Sequence, residues 1–352
     1  MSGVIVAPRV RDLETLAGQL SAWLLPRLPG ASDLRIENLT YPRGAGRSHE
    51  TILFDAVWTV DGQPRQQGMV VRIKPSSDHL VYPDDLFDEQ HQLMSALSAG
   101  GHVPVAKPLW VEQDPSLLGA PFFVMEKVLG RVAVSIPPYS REGWLADATP
   151  AQRAKVWENG VRALASIQKV PVADLGFLAG PDGLTGLEQE FAKYVRFLAW
   201  IGGGERWPVL QAALENLRAR WPKNQPAGLV WGDARLGNLM FNDHFEVVAI
   251  MDWEQPSLGG ALNDLAWWTV MSANMHEAMP GRPHMEGMGT REETIQLWRD
   301  VTGISTDDLD WYVDFTLVKV GCLSTRVPGT LTNAPPPDHS GLAKALGLSV
   351  GA

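Results

Sequence analysis

The sequence predicts an α+β fold in two lobes, in which an N-terminal antiparallel sheet with one helix precedes a mainly helical C-terminal lobe. Two observations predict this fold. Runs rich in β-branched and aromatic residues are frequent up to residue 128, whereas apolar residues at helical spacing dominate beyond residue 130. The chain of 352 residues is long enough for two such units. We expect the first lobe over residues 1–127 and the second over residues 128–352.

The first lobe begins with a helix and continues with strands. Apolar side chains recur at helical spacing over residues 11–25, and two prolines end that helix. A loosely alternating segment and four runs with strand composition follow: residues 34–39, 51–60, 69–74, 109–112 and 121–128. Asp61-Gly62 indicates a hairpin between the second and third of these segments. A helical pattern over residues 85–99 places one helix between the third and the fourth.

The second lobe has six segments with helical periodicity. They cover residues 151–169, 187–198, 208–221, 263–278, 291–302 and 306–323. One non-helical island, residues 228–254, interrupts them and contains a small hairpin around Asn242-Asp243. The tail after Arg326 is rich in Pro, Gly, Thr and Ser, and it is predicted to be irregular.

Composition argues against several classes of protein. The net charge of −10 disfavours a nucleic-acid partner, because an acidic surface repels phosphate backbones. The single cysteine, Cys322, leaves no partner for an intrachain disulfide and no cysteine metal cluster. The first eight residues lack the basic region of a signal peptide, and no apolar run approaches the roughly 20 residues that span a bilayer. We expect a soluble, cytoplasmic protein with no membrane partner.

The island contains the residue types that phosphoryl transfer requires. Asp233 precedes Asn238 by five positions, which is the spacing of a kinase catalytic loop. Such a carboxylate accepts the proton of an attacking hydroxyl or orients that hydroxyl, and a nearby amide oxygen binds Mg²⁺. Asp252 follows the short apolar strand of residues 247–251, which would hold a second carboxylate rigidly beside metal and phosphates.

Ordinary turn chemistry is the alternative for this segment. An Asx turn at Gly232-Asp233 and a hairpin turn at Asn242-Asp243 would account for several of its polar residues. That alternative explains neither Asn238 nor an aspartate at the end of an apolar strand. The pattern therefore favours a catalytic centre over a set of turns.

The island resembles the aminoglycoside phosphotransferase and choline kinase superfamily, which is related to protein kinases. The resemblance rests on Gly-Asp-Ala-Arg-Leu-Gly-Asn-Leu-Met-Phe at residues 232–241 and on Ile-Met-Asp-Trp-Glu at residues 250–254. Within the superfamily, these motifs are similar to the kinase-like domains of certain acyl-CoA dehydrogenase fusion proteins. The resemblance covers roughly residues 34–323, and it implies a two-lobed protein-kinase-like fold.

The resemblance also implies a function and roles for three residues. The protein would be a kinase that transfers the γ-phosphate of Mg-ATP, or of GTP, to a hydroxyl of a small molecule. Asp233 would be the catalytic base, and Asn238 and Asp252 would bind Mg²⁺. A nucleotide-binding pseudokinase that serves as an interaction module is the alternative, and a metal-dependent hydrolase is a weaker one. The eight histidines form no H-x-x-x-H cluster near the island, which argues against the hydrolase.

Two positions depart from the family pattern. Trp231 stands where the family usually has His before Gly-Asp, and residues 259–261, Gly-Gly-Ala, stand in place of Gly-Asp-Pro. The family's His mainly supports the loop, so we expect activity to survive this exchange. Asp264 matches a family aspartate that braces the loop, and a structural role is expected for it because aspartates at helix starts usually cap.

In the first lobe, the resemblance implies a loop over the phosphates, a basic residue, its acidic partner and a hinge. The candidates are Gly44, Gly46, Ser48, Arg72, Lys74, Glu89, Glu126 and Val128. The glycines permit close backbone approach to phosphates, although an ordinary loop is an equal alternative. Arg72 aligns with the family's phosphate-binding Lys and shares a strand face with Lys74, and Glu89 matches the acidic partner. Backbone groups near Glu126 and Val128 would contact the adenine.

The acceptor is expected to bind in the second lobe. Three acidic residues there, Glu188, Glu190 and Glu254, would suit a polycationic aminoglycoside. Five aromatic residues are equally prominent: Tyr194, Phe197, Trp200, Trp207 and Trp267. They suggest a less cationic, partly apolar acceptor, such as a hydroxyacyl thioester or a glycosylated natural product, unless they only pack in the core.

Overall fold

The structure is a computed structural model that describes residues 11–42, 50–75, 80–279, 281–326 and 337–349. An antiparallel sheet dominates up to residue 126, and helices dominate beyond it. The predicted α+β fold is therefore confirmed. The predicted phosphate loop, with Gly44, Gly46 and Ser48, lies outside the described residues.

The large sheet contains five antiparallel strands in the order β1-β2-β3-β5-β4. Their bounds are Ala31–Thr40 (β1), Glu50–Val60 (β2), Gln63–Ile73 (β3), Pro108–Glu112 (β4) and Phe122–Glu126 (β5). The β2–β3 hairpin turns at Asp61 and Gly62, whose positive φ angles of 50° and 73° are those of a type I′ turn. Because this turn is so short, pairing starts at once with Val60 opposite Gln63, and β3 begins earlier than predicted.

One face of this sheet is covered by α1 (Leu13–Leu24). Asp12 caps the helix by accepting the backbone N–H groups of Glu14 and Thr15. Alternate residues of β2, β3 and β5 point into the core beneath it: Ile52, Phe54, Ala56, Met69, Val71, Ile73, Phe122 and Val124. The same alternation places Arg72 and its cross-strand partner Phe123 on the opposite face.

That opposite face is covered by α2 (Phe87–Gly100). Phe87 packs on Phe123 with ring centroids 5.3 Å apart, and Gly101 ends the helix with a φ of 65°. The buried side chains of α2 share one hydrophobic core with the helices that follow in the chain. The division after residue 127 stays a prediction.

The helices of the second part are α3 (Trp144–Asp147), α4 (Pro150–Ser166), α5 (Gly186–Trp200), α6 (Gly203–Arg206), α7 (Pro208–Ala219), α8 (Leu262–Met275), α9 (Arg291–Thr302), α10 (Leu309–Ser324) and α11 (Ser340–Ala345). The six predicted helical segments correspond to α4, α5, α7, α8, α9 and α10. Thr149 starts α4 and Thr290 starts α9, each in a capping box. The sequence predicts an irregular tail after Arg326, and this prediction is wrong for the part of the tail that forms α11.

The island forms part of a second sheet with the strand order β6-β7-β8. The predicted hairpin consists of β7 (Leu239–Phe241) and β8 (Val247–Ile250). The third strand, β6 (Arg131–Val132), pairs with β7 and was not predicted, because two residues carry no periodicity. None of the helices in the described ranges combines the length and apolar character needed to cross a membrane.

Candidate active site

Asp233 is held by three side-chain donors. Its Oδ2 accepts Arg235 Nε–H at 2.9 Å and Asn238 Nδ2–H at 2.7 Å. Its Oδ1 accepts the indole N–H of Trp267 at 3.0 Å, from α8. Because both carboxylate oxygens are bonded, rotation of the group would break charge-assisted hydrogen bonds. The side chain is still 28% exposed, so a ligand can reach it.

The β7–β8 hairpin brings Asn238 and Asp252 together. Asn238 ends a single 3₁₀ turn, Leu236–Asn238, directly before β7, and its main-chain carbonyl accepts Met251 N–H at 2.9 Å. The Asn238 amide N–H₂ donates to the carboxylate and the carbonyl of Asp233, which directs the amide oxygen elsewhere. Asp252 follows Met251 with a φ of 65°, a left-handed conformation that aspartate tolerates better than most residues.

Trp231 links the segment that carries Asp233 to the segment that carries Asp252. Its indole N–H donates to the Met251 carbonyl at 2.7 Å. Its backbone N–H donates to Asp264 at 2.6 Å, and the backbone N–H of Gly232 donates to the same carboxylate at 3.0 Å. Trp231 therefore joins the two segments by a hydrogen bond of its own, at the position where the family usually has His.

Asp264 braces this segment rather than capping its own helix. The residue that caps α8 is Ala261, and no side-chain hydrogen bond is made there. The Asp264 carboxylate instead accepts two backbone N–H groups from residues 231 and 232. Burial raises the pKa of Asp264 to about 6, although both hydrogen bonds act in the opposite direction. Asp264 therefore has a structural role, as expected, but it supports residues 231 and 232 instead of capping its own helix.

Gly232 permits the close approach on which this arrangement depends. Its φ is 100°, a region that favours glycine, and a Cβ there would lie 2.4 Å from the main-chain oxygen of Gln255. The segment that carries Asp233 therefore lies directly against the residues that follow Asp252. The isolated bridge between Val230 and Ser257 continues this contact.

Arg72 reaches these carboxylates from β3. One of its guanidinium nitrogens lies 3.2 Å from Asp252 Oδ1 and forms a short ion pair with Glu254 Oε1. Within the described ranges, its ion pairs are with these two residues and not with Glu89, which is half-buried on α2. Lys74 pairs with Asp85 at 2.8 Å. The structure thus brings Arg72 to Asp252 and Glu254, and it shows no ion pair between Arg72 and Glu89 among the described residues.

The oxygen atoms of Asn238 and Asp252 fit Mg²⁺. Burial raises the pKa of Asp252 to about 7, and the Glu254 carboxylate also raises it, so a cation beside it would offset the local negative charge. Among the described residues, no group of three or more His, Cys, Asp or Glu side chains is arranged to hold a metal unaided. Mg²⁺ commonly takes one or two protein ligands and completes its shell with phosphates and water. A Mg²⁺–nucleotide therefore fits this site better than a bare ion.

The remaining candidates lie in different places. Glu126 ends β5 and its backbone N–H donates to the Lys107 carbonyl at 2.9 Å, and Val128 follows two positions later. Glu188 lies on the surface, where it pairs with Arg218. Phe197, Tyr194 and Trp207 are buried and Trp200 is exposed, so most of the predicted aromatic lining packs in the core.

Three residues of the candidate site have contacts that the sequence does not predict: Arg235, Glu254 and Trp267. The sequence places Glu254 and Trp267 only among the acceptor-binding candidates, and it gives no role to Arg235, two positions after Asp233. A signal for Trp267 was available. Residues three apart share a helix face, so a loop-bracing Asp264 implies that Trp267 also faces the loop.

The chain matches the family model described as phosphotransferase enzyme family over residues 49–281, about two-thirds of its length. A probable acyl-CoA dehydrogenase of Arabidopsis thaliana is 26% identical over 302 residues, covering 81% of this chain and 35% of that protein. Acyl-CoA dehydrogenase family member 11 of Homo sapiens is 27% identical over 303 residues, covering 83% and 36%. The chain thus spans about a third of the length of these relatives.

Solved structures share the fold. A putative aminoglycoside phosphotransferase from Ralstonia eutropha has a TM-score of 0.64 at 23% identity, covering 95% of this chain and 94% of that one. The amicoumacin kinase hAmiN, solved with AMP-PNP and Ca²⁺, has a TM-score of 0.55 at 15% identity, covering 96% and 94%. These likenesses confirm the predicted kinase-like fold. Because the family model covers more than half of the chain, the protein belongs to the phosphotransferase enzyme family.

Proposed function

We propose that the protein is a kinase that transfers the γ-phosphate of a Mg²⁺-bound nucleotide, ATP or GTP, to a hydroxyl of a small molecule. The observation that carries the proposal is the Asp233 carboxylate, held at both oxygens and still accessible, beside Asn238 and Asp252. Membership of the phosphotransferase family supports the same chemistry. Proteins of this fold solved with AMP-PNP or GDP support a nucleotide as the donor.

Asp233 would act as the base. Its Oδ2 already accepts two donors and its Oδ1 only one, so Oδ1 has the capacity to accept the acceptor's hydroxyl proton. A carboxylate that cannot rotate would also orient the hydroxyl oxygen toward the γ-phosphate, which lowers the entropic part of the barrier.

The nucleotide would be held from both sides of the cleft. Asn238 and Asp252 would bind Mg²⁺, which neutralises phosphate charge when bound. Arg72 would exchange its ion pairs with Asp252 and Glu254 for nucleotide phosphates, which a guanidinium can grip with two parallel hydrogen bonds. Backbone groups near Glu126 and Val128, at the end of β5, would contact the adenine.

A transfer assay tests the proposal. Purified protein is incubated with Mg-ATP or Mg-GTP and a panel of hydroxyacyl-CoA thioesters, aminoglycosides, macrolides and amino sugars, and phosphorylated products are detected by mass spectrometry. Asp233→Asn should lower kcat by about 10²–10⁴-fold. Asp243→Asn is the matched control, since Asp243 lies in the hairpin turn with its side chain 94% exposed.

Two outcomes would contradict the proposal. Unchanged turnover in Asp233→Asn would remove Asp233 as the base. Nucleotide binding by the wild-type protein without transfer to any acceptor would instead support the pseudokinase, the alternative that the sequence left open.

A further inference from the structure

Lys193 on α5 is a buried ammonium group without a carboxylate partner. The residue is only 5% exposed. Its Nζ makes one long hydrogen bond, 3.4 Å to the Gln255 main-chain oxygen, and no carboxylate of the described residues lies within 4.0 Å of it. Burial lowers the pKa of Lys193 below its usual value, as expected for an ammonium removed from water. The group therefore has hydrogen-bonding capacity that the described part of the protein does not use.

The nearest acidic residue along α5, Glu190, is already occupied. Its Oε1 accepts Lys319 Nζ at 2.8 Å and its Oε2 accepts the Ser257 hydroxyl at 2.7 Å. Lys319 also donates to Asn263 Oδ1 at 2.9 Å. Because Glu190 pairs closely with Lys319, it compensates the charge of Lys193 only at longer range.

Gln255 supplies a second unsatisfied group at the same place. The residue is 7% exposed, and its side-chain oxygen Oε1 is buried without a hydrogen-bond partner among the described residues. A buried amide oxygen without a donor costs about 1–3 kcal/mol in general, so native proteins rarely keep one without a reason. A cationic donor on α5 and an unpaired acceptor on the segment after Glu254 thus belong to two residues that are themselves joined by a hydrogen bond.

This pair of groups borders the catalytic centre. The Gln255 main-chain oxygen packs against Gly232, the residue directly before Asp233. The Tyr82 ring lies 5.8 Å from Lys193 Nζ, and the negative charges of Asp233 and Glu254 act on its phenol group. Lys193 and Gln255 therefore lie in the neighbourhood of Asp233.

We propose that Lys193 and Gln255 bind an anionic group of the phosphoryl acceptor, so that the enzyme takes hydroxyl compounds that carry a carboxylate or a phosphate. The inference rests on the proposed function. The ammonium would donate to the anion, and Gln255 Oε1 would accept an N–H or O–H of the same molecule. A polycationic aminoglycoside would place a positive charge against Lys193 and would be rejected.

Binding measurements test the inference without requiring phosphoryl transfer. Isothermal titration with AMP-PNP and Mg²⁺ present compares hydroxycarboxylic acids with their uncharged primary amides, and sugar phosphates with the free sugars. In the wild-type protein the anionic member of a pair should bind about tenfold tighter or more, and Lys193→Met should abolish that preference. The control is Lys155→Met, an exposed lysine on α4, which should keep the preference.

A second variant tests the inference in case Lys193→Met does not fold. Gln255→Glu puts an internal carboxylate on the residue whose main-chain oxygen accepts Lys193 Nζ, so it should also remove the preference for anions while neutral compounds still bind. Equal affinity for charged and neutral members in the wild-type protein would overturn the inference. A Lys193→Met variant that loses AMP-PNP affinity instead would also overturn it, because the group would then serve the nucleotide phosphates.

The proposed kinase function and the proposed anion site can fail independently of each other. If anions bind selectively but no compound is phosphorylated, the anion site stands and the kinase assignment falls. If neutral and anionic hydroxyl compounds are phosphorylated with equal efficiency, the kinase assignment stands and the anion site falls. The variant Asp233→Asn should lose transfer and keep the preference for anions.

Discussion

The helical and the sheet sides of the candidate site are built differently. On the helical side, Asp233 has three donors, and Asp264 accepts the backbone N–H groups of residues 231 and 232. On the sheet side, Arg72 reaches across the cleft for its ion pairs, and the buried amide of Gln90 on α2 has no hydrogen-bond partner within the described ranges. The polar groups around Asp233 are already fixed for the proposed chemistry, whereas Arg72 would have to exchange its ion pairs when a nucleotide binds.

The largest expected effect comes from the close approach at Gly232. Gly232→Ala requires a Cβ 2.4 Å from the Gln255 main-chain oxygen at a φ of 100°. Backbone cannot give way as a flexible side chain does, so we expect a loss of about 4 kcal/mol of unfolding free energy and of nearly all activity. Gly176→Ala is the control, because a Cβ at residue 176 meets no atom within 4 Å. Urea unfolding measures both, and equal stabilities would show that the backbone around Gly232 is not tightly packed.

Asp264 should make the stability of the catalytic side depend on pH. Its folded-state pKa of about 6 lies above the ordinary 3.8, so between these values the folded protein holds a proton that the unfolded chain has released. Stability contributed by this group therefore falls as the pH rises from 4 to 6, by about 3 kcal/mol in all. Asp264→Asn cannot titrate. Urea unfolding at pH 4.5, 5.5 and 7 should show the wild-type protein losing stability relative to the variant, and a difference that does not vary with pH would contradict the burial of an ionisable Asp264.

Trp267 should matter through one hydrogen bond. Trp267→Phe removes the donor to Asp233 Oδ1, and a hydrogen bond to a charged group is worth about 1.5–3 kcal/mol, so kcat should fall about 10- to 100-fold with little change in KM. The neighbouring Trp268→Phe is a matched control, because Trp268 is fully buried and its indole N–H has no hydrogen-bond partner among the described residues. Equal kcat values for the two variants would mean that Trp267 only packs.

Sequence patterns predicted the parts of this molecule that depend on neighbours along the chain. Helix periodicity located α9 at residues 291–302, and Asp61-Gly62 identified the β2–β3 hairpin. The Asp233–Asn238 spacing predicted that these two side chains lie together, because a short turn fixes that geometry. The contact of Trp267 with Asp233 spans 34 residues, and the pairing of Arg72 with Asp252 spans 180. Such contacts depend on how helices and sheet pack, which local periodicity does not encode.

The smallest effect concerns the sheet side. Gln90→Leu removes a buried amide whose nitrogen and oxygen both lack partners in the described part of the chain, so unfolding free energy should rise by about 1–2 kcal/mol. Gln189→Leu is the opposite case, since the buried Gln189 amide donates to the Leu178 carbonyl and accepts Leu258 N–H, and it should destabilise by a similar amount. If both variants lose stability, the Gln90 amide has hydrogen-bond partners in solution. The sheet side would then differ less from the helical side in how fully its polar groups are paired.

The roles proposed for Asp233 and Asp252 differ most clearly in their effect on nucleotide affinity. A catalytic base is not needed for the nucleotide to bind, whereas a Mg²⁺ ligand is. Isothermal titration of AMP-PNP with and without Mg²⁺ therefore distinguishes the two roles. Asp233→Asn should bind Mg²⁺–AMP-PNP as the wild-type protein does, and Asp252→Asn should lose about 10- to 100-fold in Mg²⁺-dependent affinity. Undiminished Mg²⁺-dependent affinity in Asp252→Asn would contradict the assignment of this cleft as a Mg²⁺–nucleotide site.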